Sequence, residues 1–187
     1  MKKLLILTVF LLILLPSSKV FAFEEPIAGI SPALMAYETY IDDIPDKGTE
    51  TYIETYSLLF GVDSDLVRVV INGESDGNPN AYNRNRNGSH DRGLMQINSC
   101  NFKWLSEELG ITDFYDPKQN IKAGCYMLGQ LSRRYDNMHR ILMSYNMGES
   151  RTRKLFKSGT TSSKYSRKVM RKFNQLKEEN KLWMMNR

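Results

Sequence analysis

The chain has 187 residues and a formal net charge of +5 at pH 7, a length that suits one domain with a real hydrophobic core. Cys100 and Cys125 do not follow metal-ligand spacing, and His90 and His139 stand alone, so no metal, no cofactor and no nucleic-acid partner is expected. The charge is unevenly placed: residues 151–187 carry twelve Lys/Arg against two Asp/Glu, whereas residues 23–150 carry eleven against nineteen.

Residues 1–22 read as a secretory signal peptide: a basic "MKK", a short apolar run from Leu4 to Leu15, and small residues before a cleavage point after Ala22. An uncleaved anchor is the alternative, but the run is short for a span of about 20 residues. The chain is therefore expected to be exported, to the periplasm or the cell wall. Residues 23–49, with Pro26, Pro32, Pro45 and Gly48, form a lead-in with a short helix around Leu34 to Tyr40. The compact part starts at Glu50.

"ETYIETYSLLFG" has apolar residues at helical spacing and stops at Gly61. Asp63 can cap a helix from Ser64 to about Gly73. Residues 76–92 are rich in Asn, Gly, Asp and Ser and read as a long loop, with "GLMQIN" after it as a short helical segment. "CNFKWLSEEL" is helical up to Gly110. Asp116-Pro117 starts the next helix, whose stripe is Ile121, Gly124, Cys125, Leu128, Leu131 and Tyr135. "MHRILMSYNMG" and "RTRKLF" follow, then Lys164 to Met185 with Tyr165, Val169, Phe173 and Leu176 on one face and cations opposite. That face reads as packing. The domain is mostly α, with a small irregular β or loop element at residues 80–92.

One residue breaks the pattern. Glu74 follows Val70 by four and Ile71 by three, so it shares their apolar face in the last turn of its helix. Apolar neighbours and the negative helix end both disfavour the carboxylate and raise its pKa. A carboxyl that stays protonated near neutral pH can deliver a proton to a glycosidic oxygen. An ordinary exposed glutamate at a frayed helix end is the competing reading.

Four further motifs decide between them. They are Glu74-Ser75 followed by Asn78-Pro79-Asn80-Ala81, then Gly93-Leu94-Met95-Gln96-Ile97, then Asn120 with Gly124, then Ser144-Tyr145-Asn146-Met147-Gly148. In this order, across about residues 50 to 170, they resemble the soluble lytic transglycosylases (SLT-type) of the lysozyme-like superfamily. The resemblance implies a goose-type lysozyme-like helical domain acting on peptidoglycan glycan strands as a monomer. It implies Glu74 as the one catalytic acid and base. Tyr145 would reach Glu74 by a hydrogen bond. Ser75, Met95 and Gln96 would belong to the glycan site, with Asn146 helping to hold it and Gly93 shaping the cleft. Two positions depart from the family. Asn83 stands where a serine near the acid is common. The longer turn "NRNRNGSHDRG" is similar to that of animal-type lysozymes and brings in Asp91 as a candidate second carboxylate, unless it only caps the segment at Gly93.

Two rival functions stay open at this level. One is a hydrolytic muramidase using Glu74 and Asp91, and the other a non-catalytic wall-binding module. The basic residues 151–187 could meet an anionic wall polymer or envelope-spanning machinery, or be a solvated helix face. In an exported chain an even cysteine pair suggests a Cys100–Cys125 disulfide, two buried free thiols being the alternative.

Overall fold

A computed structural model describes residues 48–185. The signal peptide and the helix expected around Leu34 to Tyr40 lie outside the described residues. The elements in order are α1 (Thr49–Phe60), α2 (Ser64–Ser75), β1 (Tyr82–Arg84), β2 (His90–Arg92), β3 (Ile97–Asn98), a 3₁₀ turn (Ser99–Asn101), α3 (Phe102–Leu109), α4 (Pro117–Arg134), α5 (Met138–Met147), α6 (Glu149–Lys157) and α7 (Lys164–Met185). The domain is mostly α with a small three-stranded antiparallel sheet in the order β1-β2-β3.

Helix ends follow the local chemistry. Asp63 accepts from the Asp65 amide at 2.9 Å and Asp116 from the Gln119 amide at 2.8 Å, the expected N-cap arrangement with Pro117 in the first turn. Asn137 caps α5 in the same way through the Arg140 amide. α1 and α3 stop at Gly61 and Gly110, both left-handed.

α1 lies against α4, and α2 against α7. The core between them includes Tyr56, Phe60, Leu66, Val67, Val70, Ile121, Leu128 and Leu142. Each such aliphatic or aromatic side chain stabilises the fold by about 1.5–3 kcal/mol on burial. Gly129 permits the close α1–α4 approach, because a Cβ there would stand 2.6 Å from the Phe60 carbonyl. Polar ties close the periphery. Arg68 of α2 holds Glu50 and Glu54 of α1, and Lys177 of α7 bridges Asp63 at 2.8 Å and Asp65 at 2.7 Å.

α2 runs to Ser75, with Glu74 in its last turn as expected. One local expectation is corrected. "GLMQIN" is not helical: residues 93–96 form a turn and Ile97–Asn98 a strand. Gly93 and Gln96 both have positive φ, +76° and +47°, which no helix accommodates.

Candidate active site

The end of α2, the sheet, the 3₁₀ turn and the α5–α6 junction enclose a cleft of about 1730 Å³ lined by Glu74, Ser75, Asn83, Asp91, Gln96, Tyr145 and Asn146 among others. They come from three of the motifs and the loop between them, so the fold gathers what the chain scatters over more than seventy positions.

Glu74 sits at the head of this cleft. Burial pushes its pKa up, the Asp91 charge adds to that rise, and the Tyr165 hydroxyl and the Lys168 ammonium oppose it. The net direction is upward, as the apolar setting of the helix end requires.

Two tyrosines stand near Glu74: burial and then the Glu74 charge raise the pKa of both Tyr145 and Tyr165. Tyr145 points its hydroxyl at the Met95 carbonyl, to which it donates at 2.8 Å. Tyr165, at the start of α7, faces the glutamate. Its hydroxyl is buried and lacks a partner at full hydrogen-bonding geometry, yet lies near enough to draw the Glu74 pKa down. Glu74 in turn pushes the Tyr165 pKa far up, after burial itself. Sequence reading assigned Tyr165 to a packing stripe. Its place in the first turn of a helix otherwise lined with cations was the only signal to the contrary.

Asp91 is fixed from three sides. Asn98 Nδ2 donates to its Oδ1 at 2.6 Å, and Asn83 Nδ2 and Asn85 Nδ2 donate to its Oδ2 at 3.1 Å and 3.0 Å. The register explains it: Asp91 on β2 lies opposite Asn83 on β1 and Asn98 on β3. Asp91 therefore belongs to a strand and caps no helix at Gly93. Asn83 spends its amide on Asp91 and Asn85.

Gln96 lines the cleft, with its Nε2 donating to the carbonyls of Ala81 at 3.1 Å and Gly93 at 2.9 Å. Ser75 bonds back to the Ile71 carbonyl at 3.2 Å. Asn146 is exposed on the cleft wall. Met95 is corrected from wall to core: it is 0% exposed and packs on Gly124, where a Cβ would meet its sulfur at 2.2 Å. Gly93 is buried and acts on shape alone, since a Cβ would stand 2.6 Å from the Phe114 carbonyl. Asn120, wholly buried, clips the cleft floor. It accepts from the Met95 amide at 2.8 Å and donates to the carbonyls of Arg92 at 2.9 Å and Phe114 at 2.7 Å.

The expected disulfide is absent. Both cysteines are free, Cys125 buried and Cys100 exposed. Cys125 faces Ser57 in the core, where burial pushes its thiol up to about 12, while Cys100 sits in the 3₁₀ turn on the cleft rim.

Residues 51–168 match the sequence model of the transglycosylase SLT domain family. The chain is similar to invasion protein IagB of Salmonella typhi, 31% identical over 123 residues that cover 64% of this chain and 73% of that protein. It is also similar to a transglycosylase of Enterobacteria phage PRD1, 33% identical over 120 residues covering 64% of this chain and 41% of that protein. Among solved structures, an inactive mutant of lytic transglycosylase Slt from Pseudomonas aeruginosa superposes with a TM-score of 0.52 at 20% identity. That match covers 74% of this chain and 25% of the other, and is a likeness of fold.

Proposed function

This chain belongs to the transglycosylase SLT domain family and is a lytic transglycosylase acting on peptidoglycan glycan strands; from that premise we propose that it cleaves the β-1,4 bond between N-acetylmuramic acid and N-acetylglucosamine through Glu74 alone, leaving a 1,6-anhydromuramoyl end. Protonated Glu74 donates to the glycosidic oxygen as the bond to the anomeric carbon breaks. The substrate's acetamido group steadies the positive charge at that carbon. The Glu74 carboxylate then takes the proton of the muramoyl 6-hydroxyl, whose oxygen bonds to the anomeric carbon. The proton given in the first step is recovered in the second, and water is not consumed.

The observation that carries this reading is the contrast between the two carboxyls of the cleft. Glu74 is buried with its pKa raised, as an acid requires. Asp91 has both oxygens accepting from asparagine amides, which fixes it in the sheet, and the Glu74-only scheme asks nothing more of it than charge. The same setting keeps alive a second reading, a muramidase in which Asp91 steadies charge or assists water. Mass spectrometry of products from purified peptidoglycan separates them: the transglycosylase releases anhydro ends, and the hydrolase releases ends heavier by one water. A reducing-end product would overturn the proposal. Glycan binding without turnover by the wild type would support a wall-binding module instead.

The leader at residues 1–22 supports export to the periplasm or cell wall. Lys172 and Lys177 of the basic C-terminal region are engaged on α2. An anionic wall polymer or envelope partner would therefore meet exposed cations such as Lys164 and Arg171.

A further inference from the structure

Large exposed apolar side chains are few in the body of the described domain. Apart from the end of α7 they are Leu58, Tyr82 and Trp104. Two of these three, Tyr82 at 55% and Trp104 at 39% exposed, line the cleft that holds Glu74. Single exposed apolar residues need no explanation. Two aromatic rings lining one cleft, each held in place, do.

Each ring is braced. The Trp104 indole nitrogen donates to Asn101 Oδ1 at 3.2 Å, and its ring leans on Tyr126 with centroids 5.9 Å apart. Tyr126 is anchored by donating to Glu108 Oε1 at 3.0 Å. Tyr82 lies on His90 at 5.5 Å, His90 meets Phe102 edge-on at 5.7 Å, and Phe102 stacks on Phe114 at 3.9 Å. Neither ring rests alone on a flexible loop, and both are positioned before any ligand arrives.

A β-linked pyranose carries its polar groups around the rim and presents axial C–H groups on its faces. A flat aromatic face covers that apolar surface while neighbouring amides bond the rim. The cleft supplies such amides at Asn78, Asn80, Asn87 and Asn101. Their contribution is to binding. We propose that Trp104 and Tyr82 are stacking platforms for pyranose rings of the glycan strand, Trp104 the stronger of the two. The proposal rests on the glycan reading of the cleft and adds where along the wall the sugars are gripped.

The test uses the full-length protein carrying Glu74→Gln, which is expected to bind without turnover. The probe is a tetrasaccharide of alternating N-acetylglucosamine and N-acetylmuramic acid. With Trp183→Phe added, Trp104 is the sole tryptophan, and titration is expected to change its emission saturably. By calorimetry, Trp104→Ala is expected to weaken binding about ten-fold or more, Trp104→Phe to restore most of the affinity, and Tyr82→Ala to cost less than Trp104→Ala. In the active enzyme, Trp104→Ala should raise KM more than it lowers kcat. If the alanine variant does not fold, the emission titration and the phenylalanine variant decide. Unchanged affinity in Trp104→Ala, or a flat Trp104 emission while the parent binds the probe, overturns the platform and leaves the glycan reading standing. A parent that binds no probe, with a wild type that releases no product, overturns both.

Discussion

The Tyr145 hydroxyl donates to the Met95 carbonyl at 2.8 Å, tying the end of α5 to the turn between β2 and β3. The bond fixes the cleft floor from one side while Asn120 holds the Met95 amide from the other. Tyr165, from the start of α7, also reaches Glu74 and lowers its pKa.

Tyr165 and Asp91 push Glu74 in opposite directions, which makes their roles separable. The Tyr165 hydroxyl lowers the Glu74 pKa and the Asp91 charge raises it. An acid-catalysed step fails as pH rises through the pKa of its acid. Tyr165→Phe is therefore expected to move the alkaline limb of kcat/KM to higher pH, and Asp91→Asn to move it lower. Shifts of the same sign in the two variants would show that Glu74 does not govern that limb.

Asp91→Asn also bears on the reaction type. If the nucleophile is the substrate's own hydroxyl and Glu74 is the base, the amide variant keeps measurable turnover and the product remains anhydro. Activity lost as fully as in a Glu74 variant, together with reducing-end products from the wild type, would make the protein a hydrolase.

Much of this site was legible because its residues break local rules. Glu74 stands where its helix face wants an apolar side chain, and the glycine and asparagine motifs are dense enough to mark a turn-rich wall. The helices were legible from caps such as Asp63 and Asp116-Pro117. What sequence could not show was direction and depth. The resemblance implies Met95 for the glycan site, but which way a side chain turns is set by its tertiary neighbours, and Met95 turns onto Gly124 in the core. The stretch with Asp91 reads only as an irregular β or loop element because three-residue strands lack the length for a period-two pattern to emerge. Tyr165 was hidden because a residue on a packing stripe is read as core, and its partner lies about ninety positions away.

The cysteines give a prediction opposite to the pairing rule for exported chains. Cys100 is exposed and Cys125 is buried with its thiol pushed up to about 12. Thiol titration without reductant should find one reactive group in the native protein and two after denaturation. Zero in both states would mean that the pair is oxidised.

Asn120→Ala removes three hydrogen bonds, two of them buried, and leaves a backbone amide and two carbonyls short of a partner. Each such group costs about 1–3 kcal/mol, so a destabilisation of about 3 kcal/mol or more is expected by denaturant unfolding. Activity should fall as well, since the turn carrying Gln96 rests on this clip. A variant within about 0.5 kcal/mol of wild type, the range of an ordinary surface change, would show that the clip does not hold the cleft floor.

Glu74→Gln joins catalysis to stability. The amide keeps size and polarity but cannot cycle a proton, so turnover should fall by about 10²–10⁴-fold, the usual contribution of a positioned acid or base. Stability should move the other way. Burial raises the Glu74 pKa in the folded state above its value in the unfolded chain, so the folded protein binds the proton more tightly. The stability this confers is fully present below the unfolded value, about 4.3, and is lost as pH rises through the folded value. Glutamine stays neutral and carries no such loss. The variant is therefore expected to melt above wild type at pH values past the folded pKa, with the gap closing as pH falls below the unfolded one. Parallel melting scans at acid and neutral pH check this. A gap that does not change with pH would mean that the Glu74 carboxyl titrates alike in the folded and unfolded chain, and the acid role would lose its physical basis.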